Sequence, residues 1–174
     1  MSKIDYDLKL IDGIVFDVDG VLSPSTIPMG ADGVPQRMVN IKDGYALQLA
    51  VKKGLKIAII SGADSQALLR RFGALGIKDI FLKVSDKLPV LIKWLDDNDL
   101  TPDRVAFVGD DIPDLQCLDA VGLSVVPRDG ATELRQTARY VTQADGGYGV
   151  ARELLEEVMR AQGLWMNRAD AFGW

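Results

Sequence analysis

Short apolar runs alternate along this chain with amphipathic stretches of helical length. The runs that predict strands, rich in Val, Ile and Phe, lie at 11–16, 56–60, 80–84 and 105–108, with shorter ones at 122–126 and 139–142. The stretches that predict helices lie at 43–53, 64–75, 86–98, 111–120 and 148–162. Because strands that alternate with helices form right-handed crossovers, we predict a three-layer α/β/α fold with a central parallel sheet.

Two segments interrupt this alternation. Residues 22–40 contain three prolines and a Gly-Ala-Asp-Gly turn between two short β-prone runs, which predicts a β-hairpin inserted after the first strand. Residues 163–174 hold three aromatic side chains, and we expect this tail to pack on a subunit near an active site. The rest of the chain, 1–162, has neither a repeat nor a linker and is predicted to be one domain.

The composition excludes several classes of chemistry and of partner. The chain has no histidine, so carboxylates, lysines or hydroxyls must carry any proton transfer. The formal net charge of −5 argues against a nucleic-acid partner. A single cysteine and the lack of an apolar export signal predict a cytoplasmic protein. No apolar run approaches about 20 residues, so we expect no membrane span.

Polar residues follow each of the four main predicted strands, at the edge where the loops of a parallel sheet meet. Those residues are Asp17 and Asp19 after the first strand, Ser61 and Gly62 after the second, Lys87 after the third, and Asp110, Asp111 and Asp114 after the fourth. Carboxylates this close raise one another's pKa unless a cation neutralises them. Because the nearby ligands are oxygens, the hard ion Mg²⁺ is the expected cofactor.

Each of these signals has a structural explanation when it stands alone. An Asp-x-Asp pair after a strand is most often a turn or a helix cap, and a single lysine is usually a solvated charge. Their combination in this order, each at the end of a strand, indicates an active site. Two non-enzymatic alternatives stay open. One is a receiver-like signalling module, although its phosphoacceptor follows a middle strand and Asp17 follows the first predicted strand. The other is an inactive scaffold that retains the fold.

These residues resemble the four motifs of the haloacid dehalogenase (HAD) superfamily of phosphotransferases. The motifs are matched by Asp17-Val18-Asp19-Gly20-Val21, Ser61, Lys87 and Gly109-Asp110-Asp111-Ile112-Pro113-Asp114. Further segments are similar to the minimal-cap group of that superfamily, and they lie at 42–45, 75–77, 85–88, 146–149 and 152–153. The resemblance implies a Rossmann-like HAD fold with a small hairpin insertion instead of a cap domain.

The resemblance also implies a role for each motif residue. It makes Asp17 the nucleophile that forms an aspartyl-phosphate and Asp19 the general acid/base. It makes Ser61 and Lys87 the ligands of the phosphoryl oxygens. The groups implied to hold Mg²⁺ are Asp17, the backbone carbonyl of Asp19 and Asp110, with Asp111 and Asp114 orienting these ligands or metal-bound waters.

The minimal-cap group further implies the substrate and the assembly. We expect a phosphatase of an acidic keto-sugar phosphate, 3-deoxy-D-manno-octulosonate (KDO) 8-phosphate, in lipopolysaccharide-precursor synthesis, and a homotetramer whose neighbouring subunits complete each site. The substrate carboxylate needs a further cation, and the candidates are Lys42 and Arg71, then Arg37 and Arg70, with Gly62 as another contact. Ala63 stands where many relatives have Arg, so a nonulosonate (KDN or sialic acid type) 9-phosphate is the alternative substrate.

Overall fold

The computed structural model of the chain describes residues 3–166 together with Ala171 and Gly173. These residues form six strands: β1 (Gly13–Phe16), β2 (Lys56–Ile60), β3 (Asp79–Phe81), β4 (Val105–Val108), β5 (Leu123–Val126) and β6 (Tyr140–Val141). They also form six α-helices: α1 (Ile41–Lys52), α2 (Gln66–Ala74), α3 (Lys87–Asp97), α4 (Leu115–Ala120), α5 (Thr132–Thr137) and α6 (Val150–Ala161). None of the helices described is both long enough and apolar enough to cross a bilayer.

The strands form one sheet in the order β3-β2-β1-β4-β5-β6, and every neighbouring pair is parallel. This topology confirms the predicted α/β fold with a central parallel sheet. The chain runs outward from β1 to β3 on one side and from β4 to β6 on the other. The switch between these directions opens a crevice beyond the carboxyl ends of β1 and β4, the usual position of a ligand in such sheets.

Alternate residues of the central strands pack into the two helical layers. Ile14 and Phe16 of β1 belong to the apolar cluster that contains the buried side of α1 and α6. Val15, between them, belongs to the second cluster, which contains Trp94 of α3 and Leu118 of α4. Because β1 and β4 are buried throughout, the ends of these strands are fixed points for the residues that follow them.

The structure differs from the predicted elements where side-chain pattern gives little information. The predicted helix at 111–120 begins with a 3₁₀ turn, Ile112–Asp114, because Pro113 fits a first turn but cannot lie deeper in a helix. The predicted strand at 80–84 is shorter, at Asp79–Phe81, and is only half-buried because it forms an edge of the sheet. The unpredicted helix α5 has a single buried apolar residue, Leu134, and therefore no helical pattern.

Segment 22–40 doubles back on itself with a single antiparallel bridge, between Met29 and Pro35. The Gly30 N–H donates to the Val34 carbonyl at 2.8 Å, and the Gln36 N–H donates to the Pro28 carbonyl at 2.8 Å. A longer ladder does not form because prolines have no N–H to donate. The segment therefore presents its side chains on an irregular loop above the end of β1.

The predicted tail is described only in part, since 167–170, Phe172 and Trp174 lie outside the described residues. The ring of Trp165 meets that of Tyr45 edge-on, with 6.2 Å between the centroids. The Arg152 guanidinium lies 4.5 Å from the Trp165 ring centroid, and the Tyr45 hydroxyl donates to the Ala171 carbonyl at 2.6 Å. These contacts attach Trp165 and Ala171 to α1 and α6 of the same chain.

Candidate active site

The ends of β1 and β4 place the two acidic motifs side by side. The Asp17 N–H donates to the Val108 carbonyl at 3.0 Å, so the first residue after β1 is still paired with β4. The chain then turns sharply, with the Gly20 N–H donating to the Ser23 carbonyl at 2.8 Å. Asp17 and Asp110 are thereby held across the crevice at the topological switch point.

Two glycines allow the carboxylates to approach the backbone of these turns. Gly20 has a φ of +80°, and a Cβ at this position would lie 1.9 Å from Oδ2 of Asp110. A Cβ at Gly109 would lie 2.4 Å from Cβ of Asp114. Any side chain at either position would displace an acidic residue, so both glycines are required by the geometry of the site.

Lys87 lies between two buried carboxylates. Its Nζ is 3.0 Å from Oδ1 of Asp17 and 2.6 Å from Oδ1 of Asp114. Burial, reinforced by the charge of Asp114 and opposed by Lys87, raises the pKa of Asp17 to about 6. Burial disfavours the charged lysine, but Asp17 and Asp114 outweigh it and raise the pKa of Lys87, which therefore stays protonated.

Asp114 also connects this buried pair to the loop after β4. Its Oδ2 accepts from the Asp110 N–H at 3.0 Å and more weakly from the Asp111 N–H at 3.5 Å. One carboxylate thus fixes both Lys87 and the backbone that carries Asp110. Asp111 itself is exposed at the rim of the site.

The carboxylates of the site fit a divalent cation. One oxygen each from Asp17, Asp110 and Asp114 lies within 4.8 Å of the others. Burial, together with the charges of Asp17, Asp114 and Asp111, raises the pKa of Asp110 to about 7. A hard cation among these oxygens would relieve the repulsion that raises these pKa values, and an all-oxygen set is the kind that Mg²⁺ prefers.

Two adjoining clefts of about 280 Å³ and 340 Å³ open onto these groups. The residues that line them are Asp17, Asp19, Ser25, Arg37, Ser61, Gly62, Ala63, Val84, Ser85, Lys87, Asp110, Asp111, Pro113 and Asp114. Ser61 is buried, and its Oγ accepts from the Ala63 N–H at 3.2 Å. The hydroxyl hydrogen of Ser61 is therefore available for an acceptor in the cleft.

Asp19, two residues after Asp17, is paired with Arg37 of segment 22–40. Arg37 Nε donates to Oδ1 of Asp19 at 2.7 Å, and Nη2 donates to Oδ2 at 2.8 Å. Hydrogen bonding to Asp19 holds the pKa of Arg37 above its ordinary value despite partial burial. In the sequence, Arg37 is only one of several candidate cations, and no spacing in the chain indicates that Arg37 pairs with Asp19.

The other candidate cations lie elsewhere in this chain. Lys42 and Arg70 are exposed on α1 and α2. Arg71 lines a much smaller cavity between α1 and α2, where its Nη2 is buried without a hydrogen-bond partner among the described residues. None of these three side chains is among the described residues that line the clefts beside Asp17.

Comparison with known proteins places this site in a family. Residues 74–154 match the model of the haloacid dehalogenase-like hydrolases. The chain is 37% identical over 150 residues to the KDO 8-phosphate phosphatase KdsC of Escherichia coli K12, an alignment that covers 86% of this chain and 80% of that protein.

Solved structures agree with this placement. A KDO 8-phosphate phosphatase from Yersinia pestis superposes with a TM-score of 0.87 at 34% identity, covering 91% of this chain and 85% of that one. A Moraxella catarrhalis KDO 8-phosphate phosphatase, solved with magnesium ion, phosphate ion and KDO, gives 0.85 at 32% identity, covering 90% of each chain. The chain belongs to the haloacid dehalogenase-like hydrolases and, within them, to the family of the KDO 8-phosphate phosphatases.

Proposed function

We propose that this protein is a Mg²⁺-dependent phosphatase that hydrolyses KDO 8-phosphate to KDO and phosphate, a step in lipopolysaccharide-precursor synthesis. The observation that carries the proposal is the cluster of Asp17, Asp110 and Asp114 at the switch point of the sheet, in which Lys87 contacts Asp17 and Asp114. The Moraxella catarrhalis relative, solved with magnesium ion, phosphate ion and KDO, supports this choice of ligands.

In the proposed reaction Asp17 is the nucleophile. A carboxylate oxygen of Asp17 forms a bond to phosphorus while the bond from phosphorus to the sugar oxygen breaks, which gives an aspartyl-phosphate. Water then attacks this phosphorus and releases Asp17 and inorganic phosphate. Asp19 gives a proton to the departing sugar oxygen and takes one from the attacking water, a role that contributes about 10²–10⁴-fold in typical enzymes.

The charges around Asp17 allow an anionic ester to approach it. Carboxylates outnumber cations among the described cleft residues, so the protein alone would repel a phosphate. Asp17, the backbone carbonyl of Asp19 and Asp110 would hold Mg²⁺, supported by Asp111 and Asp114. When bound, Mg²⁺ supplies positive charge that shields the nucleophile and stabilises the equatorial oxygens of the phosphoryl group. Lys87 and the Ser61 hydroxyl bind the same oxygens and orient the group.

We also propose that the protein is a cytoplasmic homotetramer in which neighbouring subunits complete each site. Several large apolar side chains in and beside segment 22–40 are exposed, namely Met29, Val34, Met38, Val39 and Ile41. An exposed apolar surface on a loop beside the clefts is typical of a subunit interface. Lys42 of α1 lies next to this surface, from which it could contact a neighbour's substrate. The free, buried Cys117 fits a reducing compartment.

A comparison of substrates tests the proposed function. We expect kcat/KM with Mg²⁺ to be far higher for KDO 8-phosphate than for hexose phosphates, and excess EDTA to abolish the activity. A nonulosonate 9-phosphate is the informative competitor, because the cleft wall at Ala63 carries no charged side chain. A preference for the nine-carbon ester would change the substrate but not the reaction. A wide preference for hexose phosphates would refute the proposed substrate, and a failure to hydrolyse any ester would indicate an inactive scaffold that retains the fold.

A further inference from the structure

The guanidinium of Arg37 occupies both carboxylate oxygens of Asp19. The two contacts, 2.7 Å from Nε to Oδ1 and 2.8 Å from Nη2 to Oδ2, form the bidentate arrangement in which an Arg–carboxylate pair is strongest. The side chain of Arg37 is only 11% exposed, whereas that of Asp19 is 43% exposed. The pair therefore lies at the mouth of the cleft, with its cation largely shielded from water.

Segment 22–40 holds Arg37 in this position from both sides. On one side, the Met38 N–H donates to Oγ of the buried Ser23 at 3.1 Å. On the other side, the Gln36 N–H donates to the Pro28 carbonyl at 2.8 Å. Because the backbone on each side of Arg37 is anchored, its side chain is presented to Asp19 by the fold and does not meet it by chance.

This pairing conflicts with the proposed work of Asp19. A general acid/base must turn one oxygen toward the leaving group and share a proton with it. With one oxygen accepting from Nε and the other from Nη2, the fork of Arg37 fixes the orientation of the Asp19 carboxylate. A turn of Asp19 toward the leaving group breaks at least one of these two contacts, and the break costs least where another anion replaces Asp19 on the guanidinium.

A substrate carboxylate is the anion best suited to that exchange. Among the described residues that line the larger cleft, the cations are Lys87 and Arg37. Lys87 is held by Asp17 and Asp114 and faces the phosphoryl site. The fork of Arg37, in contrast, has only Asp19 as a hydrogen-bond partner among the described residues, and its planar geometry matches a second carboxylate as well as it matches that of Asp19.

We propose that Arg37 is a specificity-determining residue, which restrains Asp19 until the carboxylate of an acidic sugar phosphate takes its place. The inference rests on the proposed function and extends it to how acidic substrates are selected. A neutral sugar phosphate offers no carboxylate, so it leaves Asp19 restrained and is turned over slowly. Both kinds of substrate carry a phosphoryl group, but only the acidic one carries a carboxylate. A comparison of the two therefore shows which of these groups Arg37 binds.

The test measures kcat/KM for KDO 8-phosphate and for glucose 6-phosphate in the wild-type protein and in Arg37→Ala. Loss of the guanidinium removes the carboxylate partner and frees Asp19. We expect kcat/KM to fall for the acidic ester and to rise for the neutral one, so that their ratio falls by about tenfold or more. Arg37→Lys keeps the charge without the fork and should give an intermediate ratio. Arg104→Ala is the matched control. Arg104 pairs with Asp12, and both residues lie just before β4 and β1, at the end of the sheet away from the clefts.

The ratio of kcat/KM for KDO 8-phosphate to kcat/KM for glucose 6-phosphate decides the inference, whatever the absolute rates are. If it falls by less than about tenfold in Arg37→Ala, Arg37 does not select acidic substrates and the inference is overturned. If both rates fall together, Arg37 serves the phosphoryl group or the fold. Should Arg37→Ala not fold, Arg37→Gln carries the same comparison. An inactive wild-type protein would overturn the proposed function and this inference with it, whereas an active one with an unchanged ratio overturns this inference alone.

Discussion

Gly20 shows how tightly single residues determine the candidate site. Its Cα borders the carboxylate of Asp110, and its φ of +80° lies in the left-handed region that side chains disfavour. The residue contributes no functional group to the reaction. Its contribution is space, since the turn after β1 could not otherwise close over Asp110.

We therefore predict that Gly20→Ala weakens the site without removing any ligand. The new methyl group must push Asp110 away, and displacement of a metal-binding carboxylate should lower Mg²⁺ affinity by roughly 10–100-fold. Magnesium titration of the phosphatase rate measures this change. Gly54→Ala is the control, because Gly54 also has positive φ, +92°, but a Cβ there meets nothing within 4 Å. Equal effects of the two substitutions would attribute the loss to backbone strain rather than to Asp110.

At the level of residues, the sequence predicts the acidic site but not all of its contacts. Asp17, Lys87 and Asp110 could be placed together because each lies within a few residues of the end of a strand, and the topology confirms that these strands belong to one parallel sheet. The partner of Asp19 could not be predicted, because Arg37 lies on an irregular loop whose path has no periodicity. The helical pattern likewise gives no indication that Arg71 lies away from the clefts.

At the level of elements, a buried carboxylate joins the starts of two helices. Asp43 in the first turn of α1 accepts the Arg152 N–H of α6 at 2.7 Å on Oδ1, while Oδ2 is buried without a hydrogen-bond partner among the described residues. Burial, only partly offset by Arg152, raises the pKa of Asp43 from 3.8 to about 6. The ionised side chain is therefore a local cost to folding at neutral pH.

We predict that Asp43→Asn stabilises the protein in a pH-dependent manner. A carboxyl group with a raised folded-state pKa binds its proton more tightly when folded, so the unfolding free energy falls as pH rises from about 4 through 6. The amide keeps the acceptor for Arg152 and has no charge to bury. Relative to wild type, the variant should gain roughly 2–3 kcal/mol at pH 8 and almost nothing at pH 4. Urea unfolding at both pH values measures the gain.

Asp96→Asn is the control for this comparison, since it removes an exposed carboxyl group of α3. If Asp43→Asn destabilises the protein at pH 8, the charge of Asp43 is required by a partner and the account of this junction is wrong. A stabilisation of equal size at both pH values would likewise contradict it.

Element boundaries show where sequence patterns stop being informative. The long helix α3 is predicted well because Leu91, Trp94 and Leu95 form a continuous buried side. The preceding helix, α2, is predicted to begin at 64 but begins after Ser65, whose side chain accepts the Leu68 N–H. Asp64 pairs with Lys83 instead, a contact from another strand–helix connection that only the assembled fold supplies.

At the level of the whole molecule, the clefts are open, and the proposed packing of subunits bears directly on how they are covered. Segment 22–40 carries Arg37 near one end and exposed apolar residues along its length. The same loop therefore contributes to the candidate active site and to an exposed apolar surface. Subunits that pack on this surface would cover the mouth of the cleft. In the proposed homotetramer, neighbouring subunits would then cover each site as a lid does.

We predict a solution mass of about four times 19.0 kDa, measured by light scattering. Ile41→Glu should dissociate the tetramer and lower kcat/KM for KDO 8-phosphate, because a charge at a buried apolar contact is costly. Ile92→Glu, a change at a comparably exposed residue of α3, should leave the mass unchanged. A fully active wild-type monomer would show that each chain completes its own site.

The central claim, that Asp17 is the nucleophile of a Mg²⁺-dependent phosphatase, is tested most directly by phosphate release from KDO 8-phosphate in Asp17→Asn. The substitution keeps the shape of the side chain and removes its nucleophilic charge. Asp64→Asn, at an exposed carboxyl group outside the clefts, is the control and should retain activity. We expect Asp17→Asn to lower kcat on the order of 10⁴-fold or more with Mg²⁺ in excess. Turnover within about tenfold of the wild-type rate would contradict it.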